Sequence, residues 1–221
     1  MKRIACLASI YDDLCECAVV TIMGAVAVEL YSLGHRANFF YLEHAMGLAS
    51  SMGLGIALAQ PDRRVVVIDG DGSVLMNLGG LTTMARYAPP NLTHLVFDNE
   101  SLLSVGGFPT ATSTGSDLAG VARAAGIVGA HTVTELDEFT YAARGAIALG
   151  ELSCIVAKVE AVGPASFAMD LHLLENRFEF ARALRVPEPE GPPGEPPRPQ
   201  PREAKPMTPE PTVAAPSHPE P

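Results

Sequence analysis

Short runs of apolar residues alternate along this chain with longer stretches in which apolar residues recur every three or four positions. Residues 65–69 (VVVID) and 94–98 (HLVFD) are short, apolar and bounded by turn residues, a pattern that predicts two buried strands. Residues 73–87 lie between them with helical apolar spacing, and the APPN that follows ends the helix because proline cannot continue one. This order predicts a strand–helix–strand crossover unit of a parallel sheet.

The same patterns predict further elements on both sides of this unit. The helix expected at residues 46–62 is rich in Gly, Ala and Ser, and because glycine and serine lower helix propensity, a closely packed partner is expected to require them. Near-continuously apolar strands that alternate with helices predict an α/β fold, a doubly wound, mostly parallel sheet with helices on both faces. The other predicted strands are residues 17–22, 131–133 and 153–159, and the other predicted helices are residues 117–125, 136–149 and 167–185.

The last part of the chain lacks any such pattern. Most of the 19 prolines lie in residues 186–221, where aromatic residues are absent. Such a segment buries too little apolar surface to offset the entropy lost on ordering, so we expect a disordered, Pro-rich tail. The tail is either a passive solubilising extension or a docking segment. Residues 1–185 form the domain, of a size that buries roughly 70% of its unfolded surface.

Net charge and cysteine usage limit the kinds of partner and the cellular compartment that we expect for this chain. The formal net charge is −10 without a basic stripe, so nucleic acid is not an expected partner. The sequence contains no run of 18 apolar residues, so we expect no membrane span. The acidic N-terminal stretch with Asp12 and Asp13 does not resemble a secretory signal. Four cysteines without a CxxC pair favour a reduced, cytoplasmic protein.

The turn after the strand at residues 65–69 carries the candidate chemistry. Its sequence, Gly70-Asp71-Gly72-Ser73, lies beyond the carboxyl end of a parallel strand, where ligands bind in open α/β sheets. The glycines and the free N–H groups of the next helix suit a phosphate group. Asp71 would repel that phosphate unless a divalent cation lies between the two, and Mg²⁺ is commonly held by carboxylates plus substrate phosphates.

The next strand ends in further oxygen donors. Asp98, Asn99, Glu100 and Ser101 follow it, and an asparagine amide oxygen with a backbone carbonyl would complete a hard-oxygen metal site. The alternative is purely structural, with Asp71 capping a tight turn and Asn99 forming an Asx turn. The motif is neither a GxGxxG nor a P-loop, whose lysine is missing.

Asn99 follows Asp71 by 28 residues, and this spacing resembles the thiamine-diphosphate motif. Residues 46–85 (MGLASSMGLGIALAQPDRRVVVIDGDGSVLMNLGGLTTMA) and 98–112 (DNESLLSVGGFPTAT) resemble thiamine-diphosphate-dependent 2-oxo acid decarboxylases. Within that family they are most similar to the β subunit of sulfopyruvate decarboxylase and the cofactor-binding domain of phosphonopyruvate decarboxylase. The resemblance extends over most of residues 1–158. It implies the thiamine-diphosphate-binding fold in its diphosphate-binding version, with thiamine diphosphate and Mg²⁺ as cofactors.

The resemblance also assigns roles to residues. It implies that the side chains of Asp71 and Asn99 and the backbone carbonyl of Ser101 bind the metal ion. Met46 would lie under the thiazolium ring, with Gly47 beside it, although from the residue type alone Met46 is equally a core gap-filler. The diphosphate contacts that it implies are Gly70, Gly72 and Ser73.

The sequence departs from the family pattern in three places. His44-Ala45 stands where many members have Gly-Ser, so His44 is either an acid/base candidate, given its usual pKa near neutral, or a surface residue. Asp98 and Glu100 replace the commoner Asn and Gly, which adds negative charge near the metal. The stretch after Ser101 lacks the glutamate of some pyruvate decarboxylases, which argues against their mechanism.

The resemblance implies decarboxylation of a small 2-oxo acid, of the sulfopyruvate or phosphonopyruvate type, to CO₂ and an aldehyde. The chain has room for the diphosphate-binding domain only, so we expect a hetero-oligomer (α2β2 or larger) whose partner supplies the pyrimidine domain and its activating glutamate. The small-residue face of residues 46–58 is the candidate contact. Carboligation, as in acetolactate synthase-like enzymes, and a non-catalytic regulatory subunit stay open as alternatives. Arg36 and Arg86 are the candidates for binding an anionic substrate.

Overall fold

The computed structural model describes residues 1–164 and 166–185; the predicted tail at residues 186–221 lies outside the described residues. The strands are β1 (Ala18–Ile22), β2 (Phe39–Leu42), β3 (Val65–Gly70), β4 (Leu92–Asp98), β5 (Ser101–Leu102), β6 (Phe108–Pro109), β7 (Gly129–Val133) and β8 (Ser153–Lys158). The α-helices are α1 (Arg3–Ser9), α2 (Tyr11–Leu14), α3 (Ala25–Ser32), α4 (Ala49–Ala59), α5 (Asp71–Met76), α6 (Gly79–Tyr87), α7 (Leu118–Ala125), α8 (Leu136–Leu149) and α9 (Leu173–Leu184).

Six of the strands form one sheet in the order β2-β1-β3-β4-β8-β7, and every neighbouring pair is parallel. Strands β5 and β6 form a separate antiparallel hairpin directly after β4. The register places Gly70 beside Phe97, so the Gly-Asp-Gly turn and the end of β4 are neighbours at the carboxyl edge. The predicted α/β fold with a doubly wound, mostly parallel sheet is confirmed.

Helices cover both faces of this sheet. Gly53 of α4 lies so close to Val67 of β3 that an added Cβ would be 2.1 Å from Val67 Cγ2. Phe97 of β4 packs on Phe139 of α8, with the ring centroids 5.6 Å apart. Val67 pairs with His94, three residues before Phe97, so Val67 and Phe97 point to opposite faces. The small residues of α4 thus have one packing partner within the chain itself.

The edge strand β2 is closed by a side chain rather than by another strand. Asn176 of α9 donates from Nδ2 to the carbonyl of Phe39 at 2.7 Å and accepts from the N–H of Tyr41 at 3.2 Å. Asn176 is fully buried, so its amide replaces the missing strand as a hydrogen-bonding partner. Among the residues that the structure describes, no helix has the length and apolar character needed to cross a membrane.

Several predicted boundaries differ from the structure. The single helix expected at residues 73–87 is two helices, because Asn77 leaves the helical conformation (φ −145°, ψ 55°) and Gly79 and Gly80 disfavour its continuation. The expected helix at residues 46–62 begins at Ala49, after a turn through Gly47 with φ +83°. The helix expected from residue 167 begins at Leu173. Helices α1–α3, strand β2 and the hairpin β5–β6 were not predicted.

Candidate functional site

A cleft of about 80 Å³ lies at the carboxyl edge of the sheet. The ends of β1, β3 and β4 meet there, as expected for a ligand site in an open parallel sheet. The structure brings most of the predicted site residues together, since Met46, Gly70, Asp71, Gly72, Ser73, Asn99 and Ser101 all line this cleft.

Asp71 is buried at the bottom of the cleft, with 3% of its surface exposed. The Thr110 hydroxyl donates to its Oδ2, the Thr112 hydroxyl lies 3.2 Å from the same oxygen, and the part of the chain that the structure describes offers no side-chain donor to Oδ1. Burial raises the pKa of Asp71, the Thr110 hydrogen bond opposes this, and the negative charge of Asp98 raises the pKa further. A buried carboxylate with one oxygen free of side-chain donors suits a cation that would offset its charge.

Asp98, at the end of the neighbouring strand, already has a cation. Lys158 Nζ lies 2.8 Å from Asp98 Oδ2, and the Thr112 hydroxyl donates to Asp98 Oδ1 at 2.8 Å. Thr112 therefore links the two carboxylates, with Thr110 bound to it at 2.8 Å. Lys158 also lies 2.8 Å from Glu100 Oε1, so one ammonium offsets part of the extra negative charge noted at Asp98 and Glu100.

Asn99 and Ser101 form a tight turn at the rim of the cleft. Asn99 Oδ1 accepts from the N–H of Ser101 at 3.1 Å, which is an Asx turn, while Glu100 between them has a left-handed φ of 60°. The turn fixes the amide of Asn99 beside the cleft, and an amide oxygen has a second lone pair for another partner. The structural alternative for Asn99 is thus present, and it does not exclude the predicted metal contact.

The Met46-Gly47 turn is fixed by residues that follow the Gly-Asp-Gly. The Ser73 hydroxyl accepts from the N–H of Gly47 at 2.9 Å, and Asn77 Nδ2 donates to the Gly47 carbonyl at 2.7 Å. A Cβ on Gly47 would lie 3.0 Å from Asn77 Cβ, so the turn requires glycine both for its positive φ and for space. Ser73, predicted to contact a diphosphate, thereby also positions Met46.

His44 lies apart from this arrangement. Its side chain is exposed, its φ is 55°, and it is not among the residues that line the cleft. Neither Arg36 nor Arg86 lines the cleft either; Arg36 instead hydrogen-bonds Tyr11 Oη at 3.3 Å. An acid/base role for His44 stays a prediction.

Space for a ligand differs between the two glycines of the turn. Around Gly70 the nearest atom to an added Cβ is 4.0 Å away, whereas at Gly72 the Cβ would be 2.3 Å from Leu102 Cδ2. Leu102 belongs to the hairpin β5–β6, whose strands place it and Phe108 opposite each other. A Cβ at position 72 would therefore displace the end of the Leu102 side chain, whereas Gly70 faces open space.

Four functional candidates were missed by the sequence reasoning: Thr110, Thr112, Asn77 and Arg3, which also lines the cleft. The threonines lie in PTAT, within the stretch that carried the resemblance, but hydroxyls have no spacing that marks them as carboxylate partners. No cluster of three His, Cys, Asp or Glu side chains suited to a metal occurs within residues 1–164 and 166–185. The predicted site would use one carboxylate, one amide and a backbone carbonyl.

Comparison with known proteins adds a family match. The model described as "Thiamine pyrophosphate enzyme, C-terminal TPP binding domain" matches residues 21–157. Benzoylformate decarboxylase from Polynucleobacter necessarius has a similar solved structure, with a TM-score of 0.61 and 20% identity over 74% of this chain and 34% of that one. At that identity the likeness shows the fold alone.

Two relatives differ in how much of their length this chain covers. Phosphonopyruvate decarboxylase from Streptomyces hygroscopicus is 46% identical over 147 residues, which are 66% of this chain and 36% of that protein. Sulfopyruvate decarboxylase subunit beta from Methanocaldococcus jannaschii is 33% identical over 185 residues, 83% of this chain and 97% of that subunit. The chain thus spans about a third of the first relative and nearly all of the second.

Proposed function

The chain belongs to the thiamine pyrophosphate enzyme family, and from this premise we propose that it is the cofactor-binding subunit of a two-component decarboxylase. The substrate we propose is a small 2-oxo acid with an anionic tail, of the phosphonopyruvate or sulfopyruvate kind, and the products are CO₂ and an aldehyde. The observation that carries the proposal is the buried Asp71 in a cleft that unites the predicted cofactor residues. The relatives named phosphonopyruvate decarboxylase and sulfopyruvate decarboxylase subunit beta support the substrate class.

The residues of the cleft fit thiamine diphosphate with Mg²⁺. Asp71 has a carboxylate oxygen free of side-chain donors, Asn99 holds its amide at the rim, and Gly70 faces open space. We assign the metal to the side chains of Asp71 and Asn99 and to the carbonyl of Ser101. The proposed diphosphate contacts are Gly70, Gly72 and Ser73. Helix α5 has only six residues, so its dipole contributes less than a long helix would.

Thiamine diphosphate, when bound, supplies the electron sink that makes loss of CO₂ from a 2-oxo acid possible. The chain itself would orient this group. Met46, fixed through Gly47 by Ser73 and Asn77, would support the ring from one side. We keep His44 as a proposed acid/base residue; because it is exposed and does not line the cleft, its role would require a partner subunit or substrate to cover it.

A partner subunit is part of the proposal. The chain covers 36% of phosphonopyruvate decarboxylase but 97% of a protein named as a subunit beta. A groove between α4 and α6, lined by residues that include Gly55, Leu58, Gly79 and Tyr87, offers a contact surface. A Cβ added at Gly55 or Gly79 would have no atom within 4 Å, so no contact within the described chain requires glycine at these two positions. Leu58 and Tyr87 at the groove are 45% and 56% exposed. We propose that the partner supplies the activating glutamate, in an α2β2 or larger assembly.

The compartment we propose is the cytoplasm. All four cysteines are free thiols, and burial raises the pKa of Cys6 and of Cys17 to about 11, which keeps both unreactive. In an oxidising compartment, cysteines placed in pairs would be expected to form structural disulfides.

Native mass spectrometry of the protein purified with its natural partners, in thiamine diphosphate and Mg²⁺, tests the proposal. We expect a second chain and one cofactor with metal per pair, and release of CO₂ and an aldehyde from phosphonopyruvate or sulfopyruvate. A new carbon–carbon bond with an added aldehyde would favour carboligation instead. A homo-oligomer that binds no cofactor would contradict the proposal and favour a non-catalytic subunit.

A further inference from the structure

Arg3 is the single basic residue among the described residues that line the cleft. It comes from α1, outside the two stretches at residues 46–85 and 98–112 that carried the resemblance, and 4% of its surface is exposed. The other charged side chain in the cleft lining is Asp71. A cleft proposed to hold a diphosphate and an anionic substrate thus has one guanidinium in its wall.

Glu29 of α3 holds this guanidinium by two hydrogen bonds. Arg3 Nε donates to Glu29 Oε2 at 2.8 Å, and Nη2 donates to Oε1 at 3.0 Å. Nη2 also donates to the carbonyl of Val162 at 3.2 Å. Nη1 makes no hydrogen bond to any residue within 1–164 and 166–185, so part of the donor set is unused.

A buried ion pair of this kind is poorly explained by stability alone. Removing two charges from water costs several kcal/mol per ion, and apolar residues of similar volume often stabilise a fold equally well or better. Arginine is the residue whose planar fork can bind a carboxylate with one edge and a phosphate-like anion with another. Both features indicate that Arg3 is held in place for a ligand.

We propose that Arg3, oriented by Glu29, binds a tetrahedral oxyanion in the cleft, either a phosphate of the cofactor or the phosphonate or sulfonate group of the substrate. This inference rests on the proposed function, because it names how that site recognises its anion. The role is binding and not proton transfer. Arg3 thereby takes the place for which Arg36 and Arg86 were the sequence-based candidates.

Calorimetric titration of the full chain with its partner tests this, with three probes: thiamine diphosphate with Mg²⁺, phosphonopyruvate, and pyruvate as the substrate without an anionic tail. The variants are Arg3→Met combined with Glu29→Met, which removes both charges and leaves neither unpaired, and Glu29→Gln alone. Arg144→Met is the matched control, since Arg144 forms an exposed ion pair with Asp13 and lies outside the cleft lining. Melting temperatures verify that each variant is folded.

The double variant is expected to lose about 10- to 100-fold in affinity for one anionic probe, the loss of a charge-assisted hydrogen bond. Loss for thiamine diphosphate assigns Arg3 to the cofactor, and loss for phosphonopyruvate but not pyruvate assigns it to the substrate tail. Glu29→Gln is expected to bind that probe as tightly as the wild type or up to about tenfold more tightly, because the positive charge is less compensated. Arg144→Met is expected to bind every probe like the wild type.

If the Arg3–Glu29 ion pair has a purely structural role, a different pattern of affinities is expected. Equal weakening by Glu29→Gln and the double variant, or unchanged affinities in the folded double variant, would overturn the inference while the proposed function stands. A wild-type complex that binds no thiamine diphosphate would overturn the proposed function and this inference with it. If the double variant does not fold, Arg3→Lys decides: lysine keeps the charge beside Glu29 but lacks the second donor edge, so weaker anion binding supports the proposal and unchanged binding overturns it.

Discussion

The ends of β3 and β4 place two buried carboxylates side by side, and their partners differ. Asp98 is bound by the Lys158 ammonium and by the Thr112 hydroxyl, whereas the side chains bound to Asp71 are two hydroxyls only. Their exposed fractions, 2% for Asp98 and 3% for Asp71, are nearly equal, so burial does not explain the difference. The fold pairs one carboxylate with a cation of its own, and the proposed function assigns a cation from outside to the other.

The largest expected effect is on cofactor binding by Asp71→Asn. This variant removes the charge that would hold Mg²⁺ while the amide oxygen can still accept from Thr110. We expect the affinity for thiamine diphosphate in Mg²⁺ to fall by about 100-fold or more, which corresponds to roughly 3 kcal/mol. Asp98→Asn, measured by the same fluorescence titration, is expected to weaken binding less than tenfold; an equal loss in both variants would contradict the distinction between the carboxylates.

The same two substitutions are expected to change stability in opposite directions. Because burial raises the pKa of Asp71, its ionisation opposes folding at neutral pH, so Asp71→Asn should raise the free energy of unfolding of the metal-free protein. The gain should be full above the raised pKa and disappear below the ordinary carboxyl value of 3.8. Asp98→Asn breaks the contact with Lys158 and should lower the free energy by about 1 kcal/mol. Urea unfolding at pH 7 and below pH 3.8 gives both values, and equal signs at pH 7 would refute the comparison.

Thr112→Val tests the hydroxyl group that lies between the carboxylates of Asp71 and Asp98. Valine matches threonine in shape but removes the donor that reaches both Asp71 and Asp98. We expect a loss of about 1–2 kcal/mol in the free energy of unfolding, because the buried Asp98 carboxylate loses a hydrogen-bond donor. Thr112→Ser is the control that keeps the hydroxyl and should recover most of the loss in thermal unfolding; no recovery would assign the effect to packing.

The smallest effect is expected from Asn77→Ala, at the break between α5 and α6. The substitution removes the hydrogen bond to the Gly47 carbonyl, which fixes the turn that carries Met46. We expect a loss of roughly 1 kcal/mol in stability and a severalfold weaker affinity for thiamine diphosphate. Ser51→Ala is a matched control, because Asn77 Nδ2 lies 3.4 Å from the Ser51 hydroxyl oxygen, which is a longer and weaker contact than the one to the Gly47 carbonyl. A similar loss in both variants would argue against a positioning role for Asn77.

The sequence predicted most of the sheet because its strands are short apolar runs that local patterns identify. Strands at residues 65–70, 92–98 and 153–158 lie within one or two residues of the prediction. Helix α8 was predicted with its observed bounds, Leu136–Leu149, since its apolar spacing is regular. The edge strand β2 was missed, and it is completed by Asn176, more than a hundred residues away in sequence.

Some residues of the candidate site could likewise be predicted from local sequence, and others depend on contacts between distant parts of the chain. Residues 70–73 and 99–101 could be proposed because both stretches follow strand ends and carry a family motif. Thr110, Thr112 and Lys158 could not, because their relation to Asp71 and Asp98 depends on the hairpin and on a later strand. Arg3 was missed for the same reason: only the packing of α1 on α3 brings it to the cleft. Charge balance at a site is a property of the tertiary fold.

If Asp71 binds an external divalent cation, the affinity for thiamine diphosphate must depend on that metal. Thiamine diphosphate is titrated calorimetrically into the wild-type protein with its proposed partner, once in millimolar Mg²⁺ and once in excess EDTA. We expect binding in Mg²⁺ and a loss of about 100-fold or more in EDTA, restored when Mg²⁺ is added back. Equal affinity with and without the metal would contradict the assignment of Asp71 as a metal ligand.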